Sequence, residues 1–279
     1  GISDLMNVFG GLRFYTHALA AGLKPILGCD LKVINPKDLN KPFRLGVLCM
    51  NHEGYHSLSV LLTKAFLTNN DAARGLVDPK WFDDGGSEGL IALSGAAQGE
   101  LGSLLLGKKW ALAHEAAERF KAQFPGRFYV ELQRAGRPTD ELATARLANF
   151  AVEEKLPVVA THPIQFLKPE DFEAHEVRCS IAEGYTLQDP RRVKRYTPEQ
   201  YLKSEAEMCE LFADIPAAIE NTVEIAKRCN LDGVLSKPQL PLFPTPDGMS
   251  LDDYIDQLSK EGLQKRLEFL YPDPKVLEE

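Results

Sequence analysis

The residues best suited to chemistry follow short apolar runs. Asn51, Gly95, Gln133 and His162 each stand at or just past the end of a run that reads as a buried strand, and Asp30 lies within another and is expected on the same face. In an α/β protein the ends of the strands gather on one face, where catalysis and binding concentrate. Glu131 and Gln133 alternate along one such run, so both point to one face and read as hydrogen-bonding groups of a pocket wall. His52 and His56 stand at i, i+4 and read as the surface or N-terminus of a helix, and His17, His114 and His175 show no ligand spacing. Gly10-Gly11 and Gly85-Gly86 read as turns and build no phosphate-cradling GxGxxG or GxxxxGK(S/T) loop. Arg191-Arg192-Val193-Lys194-Arg195 is the one dense basic run. It is open to two readings, a solvated loop or a contact for phosphate or an acidic partner face.

The elements that must position these groups are legible as periodicities. Runs 25–34, 44–51, 90–94, 128–133 and 157–161 are rich in Val, Ile, Leu and aromatics and end at turn-forming residues. Ile2 and Ser3 read as the end of a further strand, which suggests a longer parent chain. Helical spacing runs through 57–67, 110–124 and 140–154. Strands alternating with helices predict a parallel α/β architecture, as an open sheet or a barrel. After about Gly184 the strand signals stop. Thr197-Pro198-Glu199 reads as a helix start, Ser204 to Glu207 has capping-box spacing, and 215–229 is amphipathic. Four prolines within 237–246 predict extended backbone, and Ser250 caps a last helix to about Leu270. A domain boundary is expected within 184–230.

Composition narrows the class. Hydrophobic residues at 44% and charged residues at 26% suit a globular protein with a sizeable core. No run reaches the ~18 apolar residues of a membrane span, and no signal-peptide pattern opens the chain. Five cysteines without a CxxC pair read as reduced cytosolic thiols. A net charge of -8 argues against a surface devoted to gripping nucleic acid.

The wording of several segments is specific. Met6-Asn7-Val8-Phe9-Gly10-Gly11-Leu12-Arg13-Phe14-Tyr15, then Gly22 to Asp30, Asn51 to Leu58, Leu93-Ser94-Gly95, Phe128 to Arg134 and Leu156 to Thr161 follow one another in a characteristic order. Met208-Cys209-Glu210-Leu211-Phe212-Ala213-Asp214-Ile215-Pro216, Glu220 to Asn230 and Leu240-Pro241-Leu242-Phe243-Pro244 continue it. In these segments the chain resembles, over essentially its whole length, the catalytic alpha subunits of bacterial DNA polymerase III in their proteobacterial form. The resemblance implies that 1–225 is a PHP domain, a distorted seven-stranded (β/α) barrel without its N-terminal part, and that 226–279 opens the polymerase palm. It implies a parent that makes DNA in the cytoplasm with magnesium, whose polymerase carboxylates are not in this chain. The partners implied are the proofreading exonuclease subunit on the PHP domain, other replicase subunits and DNA, and no membrane.

Hydrolytic PHP sites bind about three divalent ions through His, Asp, Glu and Cys, which generate hydroxide and neutralise phosphate charge. The resemblance maps the ligand positions onto this chain. The first histidine pair falls ahead of Gly1. The Asp-His step is Asp4-Leu5, and the next acid is Asp30. A histidine position is held by Arg44, a permanent cation that cannot ligate. The cysteine position is Ala96, and the last motif reads His162-Pro163-Ile164-Gln165-Phe166, with Pro and Gln in place of its Asp and His. Asp4, Asp30 and His162 are the weak metal candidates that remain. Asp4, Asp30, Arg44, Glu131, His162 and Gln165 are expected to line a vestigial pocket with no catalytic residue and no metal, in which Arg44 replaces a metal's charge against Asp4 or Asp30. The competing reading is an active metal-dependent phosphoesterase or proofreading nuclease.

Overall fold

The computed structural model describes residues 1–68, 75–233 and 242–272. It divides into two compact units, Gly1–Val234 and Leu235–Glu279.

The first unit is built on a mixed six-stranded sheet in sequential order, β1 (Ile2–Leu5), β2 (Leu27–Val33), β3 (Phe43–Cys49), β4 (Leu90–Leu93), β5 (Phe128–Gln133) and β6 (Val158–Thr161). The strands lie where the apolar runs predict them. Their directions correct the all-parallel expectation: β1/β2, β4/β5 and β5/β6 are parallel, while β3 is antiparallel to both neighbours. The link across 34–42 is too short for a crossover helix, so β3 must return alongside β2. The chain then runs down helix α2 (His52–Leu67), bridges Val77 to Val33, and climbs back through a 3₁₀ turn at Pro79–Phe82. It re-enters the sheet as β4 at the end where β3 stopped. Two glycines permit this closure. A Cβ on Gly54, at the start of α2, would lie 2.0 Å from the Gly89 carbonyl oxygen, and Gly89 itself has φ +66.

Strand alternation sorts the side chains onto two faces. Leu27, Cys29, Leu31, Leu45, Val47, Leu90, Ala92, Phe128, Val130 and Leu132 belong to the main core. This is the face covered by helices, including α2, α3 (Glu100–Leu106), α4 (Trp110–Gln123) and α5 (Asp140–Glu153). The opposite face carries a smaller apolar cluster of Ile91, Leu93, Tyr129 and Val159, closed by Ile225 of α8 (Pro216–Arg228) and by Cys229, which caps that helix. Asn221 of α8 also donates through Nδ2 to the Val158 carbonyl, 2.8 Å away. Helix α1 (Gly11–Ala20) links β1 to β2, and α6 (Phe172–Glu183) follows β6.

Past β6 the expectation of helices holds, with one exception. Ser204 caps α7 (Glu205–Leu211) in a capping box: its Oγ accepts from Glu207 N–H at 3.3 Å, and Glu207 Oε2 accepts from Ser204 N–H at 2.7 Å. Thr197 starts no helix. Its N–H donates to Gln200 Oε1 at 3.0 Å and its hydroxyl to the Ala135 carbonyl, so both groups are fixed in a turn. In the second unit Ser250 caps α9 (Leu251–Leu270) as expected. Of the proline run 237–246, residues 237–241 fall outside the described residues, 242–245 form neither helix nor strand, and Pro246 opens a 3₁₀ turn to Gly248 against the extended expectation. No described helix is long and apolar enough to cross a membrane.

Candidate functional site

Because β3 runs backwards, one end of the sheet gathers the C-terminal ends of β1, β2, β4, β5 and β6 with the N-terminal end of β3. Arg44 therefore stands beside Asp30, and Asn51 lies at the far end. There Asn51 caps α2, its Oδ1 accepting from Gly54 N–H at 3.0 Å. This corrects the expectation that Asn51 shares the functional face.

Asp30 and Arg44 form a half-buried ion pair, Nη2 to Oδ2, with side chains 28% and 26% exposed. Burial pushes the Asp30 carboxyl up to about 6, Arg44 opposes the rise, and nearby Glu131 adds to it. Glu131 is buried on β5. Its Oε2 accepts from Gly95 N–H at 2.9 Å, and its Oε1 from Gln133 Nε2 at 2.9 Å and from the Thr161 hydroxyl. Gln133 in turn donates to Thr161 Oγ1 at 3.0 Å and accepts from Arg137 Nη2 at 2.8 Å, and Asp140 holds Arg137 Nε at 3.0 Å. The Gly95 turn makes the amide available. Gly95 has φ +78, and a Cβ there would sit 2.1 Å from the Arg44 carbonyl oxygen. Thr161, Arg137 and Asp140 escape sequence reasoning, although Thr161 keeps the period of two with Val159 along β6.

The other candidates are dispersed. In the parallel register Asp4 stands opposite Cys29, and Leu5 opposite Asp30. Asp4 therefore lies on the helix-covered side of the sheet, its Oδ2 3.4 Å from where a Cβ on Gly10 would be, and away from Arg44. His162 donates through Nε2 to the Glu199 carbonyl at 2.7 Å, because a carbonyl can only accept. Its Nδ1 is buried without a partner, and burial lowers its pKa. Gln165 is exposed and tied through its backbone N–H to the Gln200 carbonyl at 2.8 Å. The 162–166 segment is thus fastened to 199–202, with Phe166 bridged to Tyr201.

This donor set does not fit a divalent-ion centre. The strongest carboxylate neighbour of Arg44 is spent on it, both Glu131 oxygens accept from protein donors, and Asp4 faces the wrong way. Among the described residues no three His, Cys, Asp or Glu side chains are grouped to hold a metal. Two short patterns elsewhere fail the same geometric test. His52-Glu53-Gly54-Tyr55-His56 has H-E-x-x-H spacing, but both imidazoles are exposed in the first turns of α2 and gather no third ligand. Gly85-Gly86-Ser87-Glu88-Gly89 has G-x-S-x-G spacing, yet it leads into a strand instead of linking strand to helix, and Ser87 is buried.

The basic run is largely neutralised. Arg191 pairs with Asp189 at 2.7 Å, Arg192 with Glu176 at 2.7 Å, and Arg195 with Glu183 at 3.7 Å. Arg192 and Glu176 are both buried, so this pair fastens the run to α6, while the side chains of Arg191 and Arg195 stay exposed.

Residues 1–135 match the model of the PHP domain. Over 275 residues the chain is 49% identical to the DNA polymerase III subunit alpha of Neisseria meningitidis serogroup B, covering 98% of this chain and 24% of that protein. The chain carries a PHP domain and is homologous to DNA polymerase III alpha subunits. The proteins of that name from Vibrio cholerae and Escherichia coli K12 are each 44% identical, covering 99% and 98% of this chain and 24% and 23% of theirs. The chain spans about a quarter of the length of these relatives. Asp30, Arg44 and Glu131 thus lie within the residues that match the PHP domain.

Proposed function

We propose that the chain is the PHP-bearing part of a replicative polymerase alpha subunit, and that its PHP pocket is a structural scaffold and not a hydrolytic centre. The parent would perform template-directed DNA synthesis in the cytoplasm, using magnesium and carboxylates that this chain does not carry. Residues 1–225 would form the PHP domain and 226–279 the opening of the palm. The scaffold would dock the proofreading exonuclease subunit, with other replicase subunits and DNA held through the parent.

The observation that carries this reading is the ion pair of Arg44 with Asp30. A guanidinium fixed to the chain supplies positive charge where a hydrolase needs ions that can bind water. It balances a carboxylate whose unpaired burial would be costly. The Glu131 network supports the same reading, since its protein donors leave the carboxylate little capacity for a metal.

The test is calorimetric titration of the purified chain with manganese and with zinc, beside cleavage of bis(p-nitrophenyl) phosphate, and co-migration with the exonuclease subunit. No divalent-ion binding in the micromolar range, no cleavage and a stable complex are the expected results. Two or three bound ions with accompanying cleavage would overturn the scaffold reading in favour of an active phosphoesterase.

A further inference from the structure

We propose that His175 is a proton-operated latch: on taking up a second proton it releases α6 and the returning segment 196–202 from segment 162–166 while the sheet stays folded. His175 is buried, 6% exposed, where these three parts meet. Its ring lies 5.5 Å from that of Phe166, which also touches Phe172 at 5.8 Å, and it meets Tyr196 edge-on at 4.6 Å. The junction continues through the backbone. Leu202 N–H donates to the Phe166 carbonyl at 3.1 Å, and Gln200 Nε2 donates to the Pro163 carbonyl at 2.9 Å. The far side of α6 is uncovered, with Glu173, Ala174, Val177, Arg178 and Ile181 exposed. A helix held on one side only is the kind of unit that opens locally without global unfolding.

The hydrogen bonds fix the protonation state of the ring. Arg178 Nη2 lies 3.2 Å from His175 Nδ1, and a guanidinium can only donate, so Nδ1 carries a lone pair. The single N–H is then on Nε2, 3.5 Å from Cys179 Sγ. A second proton has only Nδ1 to occupy, where it confronts an N–H of a permanent cation.

The surrounding charges do little to accept that proton. Burial lowers the pKa of His175, Arg178 lowers it further, and Glu176 opposes both. The Glu176 carboxylate is already committed through Oε2 to Arg192 of the returning run, at 2.7 Å. Glu183 is turned to Arg192 and Arg195, and Asp171 to the Lys168 N–H at 3.0 Å. Segment 162–166 contributes His162, held on the Glu199 carbonyl, and the returning segment contributes Tyr196. Opening exposes an imidazole of ordinary value near 6.5. The closed form is therefore held above that pH and is lost as pH falls through it toward the lower value of the closed form. The latch does not depend on whether the Arg44 pocket is hydrolytic.

The test is hydrogen–deuterium exchange of the whole chain at about pH 7.5 and about pH 5, each corrected for the intrinsic exchange rate. Peptides from 172–183 and 196–202 should exchange severalfold faster at the lower pH, with β2 to β5 unchanged. The rise should follow the His175 midpoint read by NMR titration. Arg178→Gln keeps a donor for Nδ1 without the charge and should move the rise to higher pH. His175→Phe keeps a ring among the same aromatic neighbours, takes no proton, and should exchange alike at both pH values. His162→Gln should leave the rise in place. No rise at about pH 5, a rise that survives in His175→Phe, a rise abolished by His162→Gln, or loss of protection through the sheet at the same pH would each overturn the proposal.

Discussion

Replacing Arg44 with methionine removes the guanidinium and keeps most of the aliphatic stem. The consequence is set by Asp30, whose carboxyl is pushed up to about 6 with Arg44 still in place. A raised carboxylate favours the fold when it is protonated. That contribution is complete below the unfolded value near 3.8 and is lost as pH rises through the folded value near 6. Without Arg44 the folded value moves higher, so the loss extends further up the pH scale. The difference between the two proteins should therefore open from about pH 6 upward. Both side chains are roughly a quarter exposed, at 26% and 28%, which places the pair between the ~0–1 kcal/mol of surface bridges and the ~3–5 kcal/mol of broken buried ones. About 2 kcal/mol is expected at pH 8 and less than about 1 kcal/mol at pH 5. The assay is urea unfolding followed by tryptophan fluorescence, which reports the first unit because Trp81 and Trp110 both lie in it. The double variant Arg44→Met with Asp30→Asn should recover most of the loss at pH 8. A deficit equal at both pH values, or no recovery in the double variant, would refute the reasoning.

Three further outcomes are expected. Arg192→Met leaves Glu176 buried without its cation and should cost about 3–5 kcal/mol, with Glu176→Gln in the same chain restoring much of it, as urea unfolding would read. Gly95→Ala forces a side chain into φ +78 against the Arg44 carbonyl and should cost at least about 3 kcal/mol, seen as a fall in melting temperature. Glu207 is held down at about 2, first by the Tyr201 hydroxyl and then by Ser204. Tyr201→Phe should raise it toward the ordinary glutamate range in an NMR titration, and an unmoved value would separate the two groups.

The strands were legible because each is a short β-rich run, and the caps at Ser204 and Ser250 because their hydrogen bonds are local. The direction of β3 was not, since a run of apolar residues carries no arrow and only the short 34–42 link decides it. That single reversal moved Asn51 off the functional end and placed Arg44 on it. Helices α1, α3 and α6 escaped notice because they are glycine-flanked or weakly amphipathic, and tertiary packing fixes them instead of periodicity. The family resemblance places Asp4 in the pocket, yet its face depends on the register with Cys29, which pattern alone does not give. The pairing of Arg192 was equally hidden, because Glu176 lies on a different element.

The hydrogen bond from Asn221 to the Val158 carbonyl has a consequence for solution behaviour. β6 is the last strand of the sheet among the described residues, and its outward carbonyls are an invitation to a second polypeptide. With a side-chain amide on one of those carbonyls and Ile225 and Cys229 packed below, α8 blunts the margin along which copies of this chain could zip together. The helix that completes the smaller apolar cluster thus also guards against self-association during folding, and loss of Asn221 should be felt first as a lower concentration limit for soluble protein.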